Sequence, residues 1–493
     1  METLAFQQDL RPELPNVYGT KDYRDFRDTL LKIDEILIKC DLETQLIKKA
    51  LTSNSSQSID PEGHKNIQHR YKVLQHALRC NIGRHLTSES YREFSLRLAD
   101  STLFQWFTHI DAFGSCKAIS KSALERYEKC FDESVVFNDI HQWLSGYSTA
   151  EQTVPVGIST PLQFEDVFMD TTCIKADIHF PVDWLLLRDA VRSLLSAIKT
   201  IRAQGLKHRM IDPSSLLKLM NQLCIKMTHS RRKKDSKKSR KEVLRTMKKL
   251  TKCIMKHAER YRQLLLKGWH KTNWSEAQMQ LVIQRIDNVV EQLPEAIKQA
   301  HERIIGERVI KSSDKILSLY DKDVNVIVRG KAGSEVEFGQ RLLIVEQEDG
   351  LIIDWNLFAK GAPSDSDLLQ PTANQLESFY GPISSVSADR AFASAKNDKF
   401  LEDKSIFNAI CPRSPHQLQE NLKDPLFVSL QTRRSQTEAR IGIFKNVFLG
   451  KPLRSRITQN KRHAVNWCVL THNLWVLSRK AITDEQASLQ EAA

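Results

Sequence analysis

The nine residues FEDVFMDTT, 164 to 172, interrupt a chain that up to that point reads as helical. FEDVFMD is short, aromatic and β-branched and carries no 3.6-residue repeat, which predicts a strand. It ends on Asp170, followed by two threonines. A carboxylate at the carboxyl end of a strand stands where α/β sheets present groups to ligands. The competing reading makes Asp170 an ordinary strand-end or turn residue, with Asp166, Asp177 and Asp183 close by as rivals for any catalytic role.

On the amino-terminal side, KDYRDFRDTLLKIDEILIKC puts Phe26, Leu30, Ile33 and Leu37 on one stripe, predicting a helix within about 22–50. TSNSSQSIDPEG breaks it, and helical signals resume over 86–146. There a short apolar helix meets Gly114 and a second begins near Ser122, whose spacing to Glu125 is that of a capping box. Two short helices about a glycine turn resemble a helix-turn-helix, which would direct Lys121, Arg126 and Lys129 to DNA; plain helix packing explains the same pattern. Residues 1–150 are expected to form an all-α N-terminal DNA-binding region.

On the carboxyl-terminal side the spacing of Leu187, Val191, Leu194, Ile198 and Ile201 opens a helical block that runs from about 184 to 308. Within it, residues 231–249 hold eleven Lys/Arg against two acids. Such a run is often a solvated face. In a chain of 493 residues with net charge +13, contacts to a phosphate backbone are the favoured reading, made by Arg231, Arg232, Lys233, Lys234, Lys237 and Lys238. A hydrophobic content of 41% and a charged content of 27% exclude a disordered chain. The nine cysteines are dispersed with no CxxC pair, which fits reduced thiols in the cytoplasm and excludes a zinc ribbon. METLAFQQDLRPELP lacks a secretory pattern and no run of 18 apolar residues occurs, so no membrane partner is expected.

Strand signals return at 323–358, with EDG as a hairpin-type turn between FGQRLLIVEQ and LIIDWNLF. A helix near 367–379 follows, then GPISSVSAD, a small strand ending on Asp389, and FNAICPR, a further strand. Asp389 could alternatively cap the helix after it. The next helix carries Arg434, Glu438, Ile441 and Lys445 at i, i+4, i+7 and i+11, hence on one face. In the bland reading Arg434 and Glu438 are a surface ion pair. The last helix, 461–479, reads as a packing helix.

Two aspartates at strand ends and a glutamate on a later helix, in the order strand, hairpin, helix, strand, strand, helix, match the layout of a ribonuclease H-like α/β core. Three carboxylates meeting there repel one another unless divalent cations neutralise them. Oxygen donors without Cys or His suit Mg²⁺, with Mn²⁺ as a substitute. Two such ions can drive in-line phosphoryl transfer on DNA, with Arg434 and Lys445 contacting phosphates.

FMDTT with Asp170, SADRAFAS with Asp389, and Arg434-x3-Glu438-x6-Lys445 resemble the DDE transposases of bacterial insertion sequences. VIVRGKAGSEVEFGQRLLIV is similar to the strand region that follows a variable insertion in several of these enzymes. The resemblance spans about 164–478. It implies a catalytic, metal-binding triad of Asp170, Asp389 and Glu438, two Mg²⁺ ions, cleavage at terminal inverted repeats, strand transfer by the freed 3′-hydroxyl, and a homodimer in the DNA complex. Many members carry a tyrosine three residues before the arginine, where this chain has Gln431. The expected organisation is a first part of the ribonuclease H-like core at 160–183, a basic helical insertion at 184–320, the rest of the core at 321–480 and a tail at 481–493. A metal-dependent nuclease with the same core, or a catalytically inactive domesticated DNA-binding protein, are the alternatives.

Overall fold

The computed structural model describes residues 13–53, 63–110, 118–230, 235–331, 334–450, 453 and 455–491. Ahead of the first strand come α1 (Lys21–Lys39), α2 (Leu42–Ser53), α3 (Gly63–Thr87), α4 (Tyr91–Asp100), α5 (Thr102–Thr108), α6 (Lys121–Tyr127), α7 (Glu133–Ser145) and the single turn α8 (Ala150–Thr153). The helix expected within 22–50 is two helices, because Asp41 takes a left-handed conformation (φ 53°) and ends the ladder. The 25-residue α3 has no counterpart among the expected elements. Its inward positions Leu74, Ala77, Leu78 and Ile82 are interleaved with Arg79 and Asn81, which are also buried, so no clean apolar stripe marks it.

The Ser122–Glu125 capping box does not form. Ser120 caps α6 instead, accepting from the Ala123 N–H. The expected Gly114 turn lies outside the described residues. Both α5 and α6 pack on α3 and α4, α5 also on α1, and Leu124 is the buried anchor of α6.

The strand at Asp170 is β1 (Asp166–Lys175). It begins two residues later than expected and continues beyond Asp170, because the β-branched run Thr171, Thr172 and Ile174 prolongs it. Asp170 is therefore inside the strand and not at its carboxyl end. Val167, Phe168 and Met169, then Thr172, Cys173 and Ile174, are buried in unbroken runs, the mark of a strand covered on both faces.

Next come α9 (Asp183–Ala203), α10 (Pro213–His229), α11 (Ser236–Gly268), α12 (Glu276–Ile304), β2 (Asn325–Lys331), β3 (Ser334–Glu346) and β4 (Ile352–Leu357). The chain ends with α13 (Asp365–Tyr380), β5 (Ser385–Ala388), α14 (Ala395–Asp403), β6 (Phe407–Ile410), α15 (Pro415–Asn421), α16 (Pro425–Ile443) and α17 (Thr458–Glu491).

These elements form two compact units. The second, Lys175–Gln340 with Ala359–Gly361, contains the helices α9–α12 and the antiparallel pairing of β2 with the outer part of β3. Its core joins Leu187, Leu194 and Ile198 to Met247, Ile254, Ile286 and Leu293, the positions whose four-and-three spacing marks the helical block. The unit is thus wider than the expected 184–320. Asp183 is consumed structurally here, paired to Arg303 (2.8 Å) and Gln299 (2.9 Å).

The first unit takes the remainder, including the N-terminal helices. Residues 1–150 therefore do not separate as a domain. The reason is α17, which is buried nearly all round from His463 to Asn473 and serves α1, α3 and α7 as well as β4. Asn473 exchanges hydrogen bonds with both backbone groups of Ile352, at 2.9 and 2.8 Å, completing β4. The expected tail from 481 is in fact the last three turns of this helix. In the sheet, β3 neighbours β1, β1 neighbours β5 and β5 neighbours β6, while β4 pairs antiparallel with the inner part of β3. Among the described residues no helix is long and apolar enough to cross a membrane.

Asp354 of β4 is buried beside Trp355, whose N–H it accepts at 2.8 Å. Burial pushes its carboxyl up to about 7. The folded state thus favours the neutral form, so this contribution to stability is complete below the unfolded value and is lost as pH rises through 7. Asp354→Asn cannot ionise, so its thermal midpoint should gain on that of the wild type between about pH 4 and pH 8. Parallel pH profiles for the two proteins would refute this.

Candidate active site

Parallel pairing of β1 with β5 runs in register from Asp166↔Ser385 to Met169↔Ala388. The residue after each of these paired segments is an aspartate, Asp170 within β1 and Asp389 just past the end of β5. Asp170 and Asp389 therefore each follow a pair of residues in register on strands about 4.8 Å apart, near enough for the charge of one to bear on the other. Burial, then the charge of Asp389, push the Asp170 carboxyl up to about 6; Glu438 adds to the rise, and the Thr171 N–H and Arg434 oppose it. The Thr171 N–H donates to Asp170 at 2.7 Å. Asp389 accepts from the Ala391 N–H at 2.9 Å, while α14 is capped by Ser394, so Asp389 is not that helix's cap. Asp166, the rival of Asp170, is occupied by the Ser385 hydroxyl.

The helix α16 starts cleanly, with Asp424 accepting from the Leu426 N–H and Pro425 as its first residue. Three side chains then pin it to the β3–β4 turn. Arg433 donates to the Glu348 carbonyl (2.8 Å), the Gln347 carbonyl (2.8 Å) and the Glu346 carboxylate (2.9 Å), with its guanidinium over the Phe168 ring. Thr437 donates to the same Glu346, which is 1% exposed, and Arg440 approaches it from the next turn. Gly350, at φ 86°, lies against the Arg440 guanidinium, where a β-carbon would collide.

Gln431 ties α16 to the other side of the site. Its amide donates to the carbonyls of Ala388 (3.3 Å) and Ala409, and its oxygen accepts Arg434 Nε at 3.1 Å. Arg434 thus forms no ion pair with Glu438 among the described residues, and the surface-pair reading fails. Arg434 Nη1 is buried without a hydrogen-bond partner among the described residues. Lys445 falls in a π-helical turn, Phe444–Phe448, that prolongs α16, and it donates to Thr172 Oγ1 at 3.1 Å. Thr171 Oγ1 donates to Asp365 at 3.2 Å, an aspartate paired in turn with Arg341 at 3.2 Å.

The structure therefore brings Asp170, Asp389, Arg434 and Lys445 to one region of the first unit. Glu438 is exposed on α16, close enough for its charge to bear on Asp170. Among the described residues no group of three or more Asp, Glu, His or Cys side chains is drawn together tightly enough to hold a metal ion. Two carboxylates are in place and the third stands off. Lys121 and Arg126 are exposed on α6, and Lys129 just after it. Lys237 pairs with Glu307 at 3.1 Å and Lys238 is exposed; Arg231, Arg232, Lys233 and Lys234 lie outside the described residues.

The supporting residues Gln431, Glu346, Arg433, Thr171 and Asp365 were not legible as such. Gln431 showed only as a departure from a motif, and nothing local marks a glutamate destined for burial. Set against protein-family models, curated proteins and solved structures, the chain matches none, so the chemistry of the site itself carries the functional reading.

Proposed function

We propose that the protein is a divalent-metal-dependent DNA transposase of the insertion-sequence type, with Asp170, Asp389 and Glu438 as its carboxylate triad. The observation that carries this is that Asp170 and Asp389 directly follow the in-register pair Met169 and Ala388 of two parallel strands, with the charge of Arg434, whose Nη1 is an unspent donor, acting on Asp170. In favour of a ribonuclease H-like core is the chain order β1, β3–β4 hairpin, α13, β5, β6, α16, with α9–α12 entering between β1 and the hairpin.

The donor set is oxygen only, which fits Mg²⁺ or Mn²⁺. Asp170 and Asp389 would hold the ion, with Glu438 joining them by a swing of its side chain. Two such ions supply Lewis acidity and an activated hydroxyl for in-line attack on a phosphodiester. Arg434 Nη1 donates to a phosphate oxygen and stabilises the charge that accumulates there, and Lys445 adds a second positive charge beside β1. Gln431 and the Glu346 cluster hold α16 so that Arg434 needs no reorganisation when DNA arrives.

The partner is double-stranded DNA, terminal repeat and target, bound by a homodimer in the bacterial cytoplasm at the nucleoid. The exposed Lys121, Arg126 and Lys129 serve end recognition, and the basic segment from Arg231 to Lys238 serves phosphate contact.

The test is a labelled duplex carrying the DNA that flanks the gene, incubated with Mg²⁺ or with EDTA. Metal-dependent cutting at a discrete end, followed by joining to a second duplex, is the expected result. Cutting without joining would make the protein a nuclease, and binding without cutting under Mg²⁺ and Mn²⁺ would leave an inactive DNA-binding protein.

Gln431→Ala should release Arg434 without touching the carboxylates. We expect kcat to fall on the order of 10- to 100-fold with KM nearly unchanged, since the interaction lost acts on charge formed in the transition state. A rise in KM at constant kcat would show that Arg434 serves ground-state binding alone.

A further inference from the structure

The longest helix of the second unit, α11, presents a cationic face that the catalytic reading does not use. Its buried positions Leu244, Met247, Ile254, Ala258, Tyr261 and Leu265 form the stripe against the bundle core. At 100° per residue, Arg245, Lys249, Lys252, Lys256, Arg260 and Lys267 fall within an arc of roughly 80° centred diametrically opposite that stripe. All six are exposed, and among the described residues none forms an ion pair. The contrast within the same helix is informative. Arg262, off the arc, is paired with Asp287, and Lys237 and Lys241 share Glu307. The acids of α11 nearest the arc are Glu242 and Glu259, and neither forms an ion pair with any of the six among the described residues.

Two hollows deepen this face. One, of about 780 Å³, sets Lys207 and His208 opposite Lys256, Arg260 and Lys267, with Glu259 as its one acidic lining residue. The other, of about 310 Å³, adds Lys298 and His301 of α12 to Lys248 and Lys252 and is lined by no acid among the described residues. Burial, and then the like charge of Lys252, lower the affinity of Lys248 for its proton, with Glu302 opposing.

We propose that this face of α11 is a binding surface for the sugar-phosphate backbone of duplex DNA, read without regard to sequence. Its length decides for a long, regular polyanion: 22 residues separate Arg245 from Lys267, roughly 33 Å of helix at 1.5 Å per residue, close to one turn of duplex at about 34–36 Å. A membrane surface is disfavoured because the apolar stripe that would enter lipid is spent in the bundle core. The inference goes beyond the phosphoryl-transfer reading and does not rest on it, since the surface lies in the other unit.

The experiment measures binding of a random-sequence 30-base-pair duplex to the full chain across a salt series. It uses Asp389→Asn as the parent and compares it with Lys252→Gln/Lys256→Gln/Arg260→Gln in the same background. Each phosphate contact contributes about 0.9 to the slope of log affinity against log salt. We expect the slope to fall by about 2–3 and affinity at moderate salt to drop on the order of 10- to 100-fold, with the circular dichroism spectrum unchanged. Equal slopes and affinities for parent and triple variant would overturn the proposal, as would a parent that does not bind random duplex. So would loss of binding to phosphatidylserine vesicles in the triple variant with duplex binding intact, which would assign the face to a membrane. With EDTA present throughout no divalent metal is available for cutting, so a failure of the catalytic reading leaves this measurement unaffected.

Discussion

Asp389→Asn should abolish the proposed metal-dependent DNA cutting, by on the order of 10³-fold or more, while duplex binding and the fold persist. Asparagine preserves the size of the side chain and an oxygen to accept the Ala391 N–H. What it removes is the negative charge acting on Asp170, and with it one of the two carboxylates that would hold a divalent cation. A second readout follows from the same substitution. Asp389 is the larger of the two charges raising Asp170, so without it Asp170 should titrate below its value of about 6. In the metal-free wild type a raised folded pKa means that stability present below the unfolded value is lost as pH climbs through about 6. Asp389→Asn should flatten that loss and melt no lower than wild type above pH 6, so its inactivity could not be assigned to unfolding. Undiminished cutting by the variant would remove Asp389 from the mechanism, and Glu438 would revert to a surface residue of α16.

Arg79→Leu should destabilise the first unit by roughly 3–5 kcal/mol, the cost of leaving buried charge unpaired. Arg79 is 0% exposed in the middle of α3. It makes a two-pronged contact with Glu43, Nε to Oε1 at 2.7 Å and Nη2 to Oε2 at 2.9 Å, and also donates to Asp34 and to the Phe107 carbonyl. One guanidinium thus joins α1, α2, α3 and α5. Removing it leaves Glu43 buried without its two-pronged contact and takes a donor from Asp34 and from the Phe107 carbonyl, so the loss far exceeds the net value of any single pair. Urea unfolding, followed by tryptophan fluorescence, should show the earliest transition shifted to lower denaturant. Converting Arg79, Asp34 and Glu43 together to apolar residues should recover much of the loss, because no charge is then left unpaired. A single variant with an unshifted midpoint would mean that water reaches the cluster.

Both predictions concern residues whose importance is unequally visible in the chain itself. Asp389 stands directly after a four-residue strand bounded by a glycine-proline turn, and its position follows from that local punctuation. Arg79 sits in a helix with no apolar stripe, and no local rule separates it from a solvent-facing arginine. The same division runs through α16. One helical face correctly groups Arg434 with Glu438, yet Arg434 bonds Gln431 three residues before it and not Glu438 four residues after it. Spacing specifies who is near, while the choice of partner depends on what approaches from the strands.

By itself the sequence determined what local chemistry can determine: the four-and-three seams of α9, α11 and α12, the hairpin at EDG, a strand through Asp170 and a short strand ending just before Asp389. Backbone periodicity and turn propensity act over a few residues, so they are written in consecutive letters. Only the tertiary structure decided that Asp170 and Asp389, 219 residues apart (389 − 170), come within reach of each other's charge, because that depends on the register of two parallel strands. It likewise decided that α17 gathers the N-terminal helices and β4 into one unit, and that Glu346 is a buried anchor for α16. These are pairings of residues distant in the chain, where burial removes water and makes each polar group depend on a partner that no neighbouring residue supplies.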